Sequence, residues 1–265
     1  MPDVQVGRAA PGFVPDAARP ALGARCQGPL LHVVRLGLRP YAEVLELQRE
    51  LALARITGSI DHDVLLLVEH PPVVTLGRSA SASHLVASPA LLAARGVDVF
   101  EVERGGDITF HGPGQLVGYP IVDLKRHRQD LHWYLRQVEE ALIRGLAPFG
   151  VHGSRVDGLT GVWVEQDRAC VAHEPRKIAS IGVHARSWVT WHGFALNVNT
   201  DLSYFDLMVP CGIRGVRMTS VALESGAGAP SLASVSDSVA RALAGVFELS
   251  PVETLMEDLL KVGTA

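Results

Sequence analysis

From Pro29 onward the chain sets short apolar runs between turn residues, and only a few stretches carry helical spacing. Leu30 to Leu36 reads as a strand, and Pro40 opens a helix over Tyr41 to Ile56, with Leu45, Leu51 and Leu53 on or near one stripe. Asp61 to Asp63 make a turn before a buried strand, Val64 to Glu69. The Pro71-Pro72 pair forces extended backbone into a second strand, Val73 to Leu76, which Gly77-Arg78 ends. Leu91 to Arg95 is a short helical piece and Val97 to Glu103 an alternating strand. After a glycine-rich link, Gly105 to Gly114, comes a strand over Leu116 to Val122, where Pro120 points to an edge or a strand end.

Leu131 to Leu146 has helical spacing, with Asp130 as N-cap and Pro148 beyond its end. Val162 to Val164 and Ala169 to Ala172 suggest a hairpin around Gln166-Asp167-Arg168. Lys177 to Ala185 and Val189 to Val198 read as half-buried antiparallel neighbours turning at Ser187-Trp188. A loop over Asp201 to Arg217, a linker over Ser225 to Pro230, and helices at Val235 to Phe247 and Val252 to Leu260 complete the pattern. The expected class is α+β, and nothing repeats at the period of a solenoid.

Composition narrows this. With 48% hydrophobic and 20% charged residues in 265, wholesale disorder, a collagen-like fibre and a disulfide scaffold are excluded. A net charge of −4 argues against nucleic-acid binding by blanket phosphate neutralisation. Cys26, Cys170 and Cys211 are three widely separated cysteines with no CxxC pair, which suits a reducing compartment. The longest apolar run, Val64 to Val68, is far too short for a bilayer, and the first residues lack the apolar stretch of a signal peptide. The expectation is a cytoplasmic protein that uses no membrane, with a flexible tail over 1–28 and a single domain over 29–265.

Three places could carry chemistry. Cys211 lies between Pro210 and Gly212, which puts its thiol on a non-helical turn. Arg214 and Arg217 would lower its pKa, while a small buried residue under a loop is the plain alternative. The spacing leaves both open. Arg104 to Gln115 holds four glycines and one proline between strands, so backbone there can approach a ligand closely, but it lacks the GK[ST] of a phosphate loop. Lys177, at the start of a long strand, reads by itself as a solvated strand end.

The 11 histidines include no HExxH, so no metal site is expected, although His184 and His192 sit on adjacent proposed strands. His70, His84, His127, His132, His152 and His173 are individually uninformative.

Taken together, RGGDITFHGPGQLVGYP (Arg104 to Pro120), KIASIG (Lys177 to Gly182), HGFALN (His192 to Asn197) and Pro210-Cys211-Gly212-Ile213 resemble the octanoyl-acyl-carrier-protein:protein N-octanoyltransferases of lipoate biosynthesis. The likeness runs from about Leu30 to beyond Phe247. It departs only in the N-terminal tail and a slightly long link, Glu165 to Arg176.

The resemblance implies a mixed or antiparallel sheet flanked by helices, similar to the catalytic domains of lipoate and biotin ligases. It also implies a Cys211/Lys177 dyad in which Cys211 carries the acyl thioester. Arg104, Gly105, Gly106, Asp107, Ile108, Thr109, Phe110 and His111 would line the acyl pocket. Ser180, Ile181 and Gly182, with Gly193, Phe194 and Ala195, would form the rest of it. No metal, ATP or other cofactor is implied beyond the phosphopantetheine arm of the donor.

The implied partners are octanoyl-acyl carrier protein, the lipoyl domains of 2-oxoacid dehydrogenases and the glycine-cleavage H protein. These are expected to be acidic, so Lys125 to Arg128 and Arg214 with Arg217 are the candidate docking charges. The rival readings are an ATP-dependent lipoate or octanoate ligase, a papain-like Cys/His hydrolase using His111 or His192, and a non-catalytic acyl-carrier-binding protein.

Overall fold

The computed structural model describes residues 28–165, 175–212, 215–226 and 228–259, with only the backbone of Cys211. The first half runs β1 (Leu30–Leu38), α1 (Tyr41–Thr57), β2 (Asp63–Glu69), β3 (Val73–Leu76), α2 (Pro89–Ala94), β4 (Asp98–Glu101), β5 (Ile108–His111), β6 (Gln115–Ile121) and α3 (Leu131–Leu146). The second runs β7 (Gly153–Val156), β8 (Leu159–Val164), β9 (Arg176–Arg186), β10 (Val189–Asn197), β11 (Arg217–Met218), α4 (Val221–Glu224), α5 (Leu232–Val246), β12 (Ser250–Glu253) and α6 (Met256–Leu259).

Among the described residues, a large mixed sheet has the order β12-β1-β2-β6-β10-β9-β8-β7, with β11 added beside β9, and a small sheet has the order β4-β3-β5. Strand alternation feeds two cores. Leu65 and Leu67 of β2 face α3 and α5, packing with Tyr134, Leu142, Val239 and Leu243. Val64, Leu66 and Val68 face α1, packing with Val44, Leu45 and Leu51. A sheet covered on both faces explains why β2 reads as one continuous apolar run.

Helix α1 starts behind Pro40 and stops at Gly58, whose φ of 79° is the left-handed cap that glycine adopts without strain. Its buried stripe includes two polar residues with partners: Gln48 accepts from the backbone N–H of His192 at 2.9 Å, and Arg55 donates to Asp63 at 3.1 Å. Leu53, expected on the stripe, is 59% exposed. Helix α3 begins as expected, with Asp130 accepting from the N–H of Trp133.

Several expectations need correction. The glycine-rich link contains a buried strand, β5, antiparallel to β3. Pro120 needs no correction: it stands one residue from the end of β6, a strand end as expected, opposite Leu65 of β2. Its missing N–H falls where the ladder from β6 to β10 has already ended at Phe194↔Gly118. Beyond that break, the hydroxyl of Thr190 donates to the carbonyl of Pro120.

Strand β8 makes its hairpin with β7, a strand the sequence did not betray, and Ala169 to Ala172 lies outside the described residues. The helix expected over Val252 to Leu260 is instead β12, parallel to β1, followed by the short α6. The tail 1–28 is outside the described residues except for Gly28.

Strands β9 and β10 are antiparallel and turn at Ser187 and Trp188, both at positive φ. β10 is buried throughout rather than alternating, because it is central in the sheet and α1 packs across it. No helix among the described residues is long and apolar enough to cross a membrane.

Candidate active site

Lys177 is not a solvated strand end. It pairs with Trp163 of β8 on one side and Met218 of β11 on the other, and it is 3% exposed. Its Nζ lies 5.0 Å from the centre of the Trp163 ring, a contact that favours a cation.

Space for the side chain comes from Gly161. A Cβ there would stand 2.7 Å from Lys177 Cε and 2.7 Å from the carbonyl oxygen of Ala179, and the φ of 134° suits glycine alone. The N–H of Gly161 donates to Glu139 Oε1 at 3.0 Å, and Arg136 and Arg155 donate to the other oxygen of that buried carboxylate.

Beside Lys177 a cavity of about 180 Å³ opens between β9, β10 and the segment from Arg104 to His111. Ser180, Ile181, Gly182, Gly193, Phe194 and Ala195 all line it. Gly182 is small by necessity, since a Cβ would approach the Gly105 carbonyl to 2.8 Å. From the glycine-rich segment, Arg104, Gly106, Asp107, Ile108, Thr109 and His111 line the cavity.

Gly105 and Phe110 serve it indirectly. Gly105 donates its N–H to the Val183 carbonyl, tying the loop to β9, and Phe110 points into the third core, stacked 4.6 Å from Tyr204. Tyr41, Val117, Tyr119, His192 and the β7–β8 turn at Gly158 also contribute wall. Tyr41 and Gly158 fall outside the motifs the sequence shows, whereas Val117, Tyr119 and His192 lie within them but were not assigned to the cavity.

The far wall is polar but largely uncharged. Behind it, His70 Nδ1 donates to the Arg39 carbonyl at 2.7 Å and Nε2 accepts from the Tyr119 hydroxyl at 2.8 Å, and burial pushes the His70 pKa down to about 4. Burial likewise holds His111 well below the usual histidine range, pushes Tyr41 up to about 12 and raises Tyr119 well above the usual tyrosine value. These rings are therefore neutral at neutral pH.

Arg104 donates from its guanidinium to the carbonyl and hydroxyl of Thr75 at 2.7 and 2.9 Å. His192, at φ 57°, has its pKa lowered by burial, and its Nε2 stands 3.8 Å from Glu103, beyond hydrogen-bond length. It does not stack with His184, whose ring packs on Trp191.

The turn that carries Cys211 is anchored on both sides. Before it, Val209 donates to the carbonyl of His84 at 2.8 Å, and Val86 and Ala87 both donate to Leu207. Pro210–Gly212 form one 3-10 turn. After it, the chain returns to β9 through β11, and Thr219 donates to the Lys177 carbonyl at 2.9 Å.

Gly212, at φ 67°, packs directly on a His84–Asp107 pair: a Cβ there would meet Asp107 Oδ2 at 2.3 Å and His84 Cε1 at 2.9 Å. Asp107 and Lys177 line the same cavity, so the residue after Cys211 backs onto its wall. Of the proposed docking charges, Lys125 is paired with Asp123 and Arg128 with Asp130, and Arg126 donates to the Asp61 carbonyl. Arg217 is exposed, and Arg214 lies outside the described residues.

Residues 40–244 match the family model described as the lipoyl protein ligase A/B catalytic domain. The chain is 50% identical over 226 residues to an octanoyltransferase of Chloroflexus aggregans, covering 85% of this chain and 98% of that one. It is 54% identical over 202 residues to an octanoyltransferase of Acidobacterium capsulatum, covering 74% and 79%.

The fold is similar to the bipartite lipoate protein ligase of Thermoplasma acidophilum, described together with its E2 lipoyl domain. The TM-score is 0.67 at 17% identity, over 89% of this chain and 90% of that one. A lipoate-protein ligase A bound with ATP gives 0.61 at 16% identity, over 89% and 92%. Those two likenesses establish the architecture, which is the expected α+β fold of the lipoate ligases; identity near one half over most of the chain establishes more, and the chain belongs to the octanoyltransferases of the lipoyl protein ligase A/B catalytic-domain family.

Proposed function

We propose that this octanoyltransferase takes the octanoyl group of octanoyl-acyl carrier protein onto Cys211 as a thioester. It then passes the group, in the cytoplasm, to the ε-amine of a lysine on a lipoyl domain, with Lys177 as the partner that handles the protons. The observation that carries this reading is a buried lysine at a cavity shared with small and apolar residues of β9 and β10, with the segment that follows the Cys211 turn hydrogen-bonded through Thr219 back onto that lysine's own strand. The acceptors implied are the lipoyl domains of 2-oxoacid dehydrogenases and the glycine-cleavage H protein, and 29–265 acts as one catalytic domain.

The chemistry follows from acidities. A lysine near 10.4 is a stronger base than a thiol near 8.5, so a close pair favours thiolate and ammonium by about 2 units before burial, which disfavours both charges, is counted. In the first half-reaction the thiolate attacks the donor's thioester carbonyl. The carbonyl–sulfur bond to the phosphopantetheine arm breaks, and Lys177 protonates the departing sulfur. In the second, the acceptor amine attacks the enzyme thioester and gives a proton to the now neutral Lys177. The neutral wall of His111, Tyr41 and Tyr119 suits an uncharged acyl chain, whose burial contributes ~0.8 kcal/mol per methylene.

Octanoyl-acyl carrier protein and a lipoyl domain, mixed with enzyme in the absence of ATP, should yield the octanoyl amide, and Cys211→Ser should slow this by more than ~100-fold. Amide formation that survives in Cys211→Ser and demands ATP would assign the chain to the ligase mechanism instead.

A further inference from the structure

Counting protons in the second half-reaction exposes a need that Lys177 alone does not meet. An acceptor lysine in water is an ammonium with three hydrogens on nitrogen, and the amide it becomes keeps one. Two protons must leave. One restores the ammonium of Lys177, so the other must pass to a second acceptor, either water or a side chain placed to take it. We infer that His84, oriented by Asp107, is that side chain and accepts the first proton from the incoming lysine. This rests on the Cys211/Lys177 reading above.

The geometry supplies each requirement. His84 Nδ1 lies 2.8 Å from Asp107 Oδ2. A carboxylate only accepts, so Nδ1 carries the hydrogen and Nε2 keeps its lone pair, the arrangement that makes a histidine a directed base. Asp107 is itself fixed: its other oxygen accepts from the N–H of Ile108 at 2.7 Å, and its side chain forms cavity wall.

His84 is pinned to the nucleophile's segment through its carbonyl, which accepts from Val209. Its ring edge faces the turn, with Cε1, the carbon between the two nitrogens, 2.9 Å from where a Cβ on Gly212 would sit. The imidazole is also 28% exposed, whereas Lys177 is 3% exposed. One base thus opens toward water, where a protein-borne amine must enter and where a proton can be discharged, and the other is enclosed.

The step balances as follows. His84 Nε2 takes one proton from the acceptor ammonium, leaving a neutral amine. The amine nitrogen forms a bond to the thioester carbonyl carbon, the carbon–sulfur bond breaks, and its electron pair returns to the Cys211 sulfur. The second proton passes from nitrogen to Lys177, and the imidazolium of His84 then releases its proton to solvent. Acylation from the carrier needs no such base, because Lys177 alone supplies the proton that the departing thiol takes.

Single-turnover measurement of the two halves tests this. Acyl-enzyme is formed from octanoyl-acyl carrier protein and followed by intact mass, then mixed with a lipoyl domain. His84→Ala should acylate within about twofold of wild type and should transfer to the lipoyl domain at least ~30-fold more slowly, with imidazole in the buffer restoring much of that second rate.

His84→Gln keeps a donor toward Asp107 but offers no base, and it should be as slow as His84→Ala. Equal slowing of both halves, or a His84→Gln enzyme that transfers at the wild-type rate, would reduce His84 to a prop for the turn and overturn the inference. A wild-type enzyme that never carries octanoyl on Cys211 would fail the underlying mechanism and take this inference with it. An intact acyl-enzyme whose breakdown ignores His84 fails the inference alone.

Discussion

Gly161 shows how one missing methyl group sets the position of the buried Lys177 amine. Its φ of 134° and the 2.7 Å approach of Lys177 Cε leave no room for a Cβ. Gly161→Ala should therefore displace the lysine and lower the acylation rate by at least ~10-fold, since misplacement of about 1 Å can cost far more than that. Quenched-flow measurement of acyl-enzyme formation checks it, and a rate within twofold of wild type would contradict the assignment of Lys177.

At this scale the sequence was partly legible. Most of the segments that line the cavity were readable because contiguous motifs carry them. Tyr41 and His84 were not, because one comes from helix α1 and the other from a short turn, both outside the motifs. The default reading of Lys177 as solvated failed for a similar reason: β8 and β11, far apart in sequence, flank it on both sides.

Elements meet most closely where β6 crosses β10. A Cβ on Gly118 would lie 2.1 Å from the Phe194 ring, and one on Gly193 would lie 2.2 Å from the Gly118 carbonyl. Gly118→Ala forces the aromatic ring of a cavity-lining residue to move, with an expected loss of about 1–3 kcal/mol of stability. Urea unfolding followed by tryptophan fluorescence measures this, and an unchanged midpoint would show that the ring repacks freely. Most strands and the long helices were legible from periodicity and caps. The C-terminal helix was misread because β12 owes its extended shape to parallel pairing with β1, more than 200 residues away, which no local pattern records.

Across the whole molecule, buried neutral histidines tie stability to pH. His70 and His32 have folded-state pKa values near 4, both lowered first by burial, against an unfolded value near 6.5. Between those values the unfolded chain binds more protons. The stability they confer is thus complete above pH ~6.5 and is lost as pH falls toward ~4.

For the fully buried His70 the loss is on the order of 3 kcal/mol. Unfolding midpoints measured from pH 7 to 4 should fall, and His70→Asn should remove about one proton from the slope; an identical slope would exclude His70 from the effect. Nothing in the sequence marked this histidine, since its burial follows from the packing of β6, α1 and β5 around it.

The most direct test of the central claim is the mass of the enzyme after mixing with octanoyl-acyl carrier protein, followed by peptide mapping, for wild type and Lys177→Ala. The account predicts an added ~126 Da, an octanoyl group in place of one hydrogen, on the peptide containing Cys211, formed at least ~100-fold more slowly in the variant. Octanoyl on another residue, no adduct at all, or equal rates in the two proteins would contradict it.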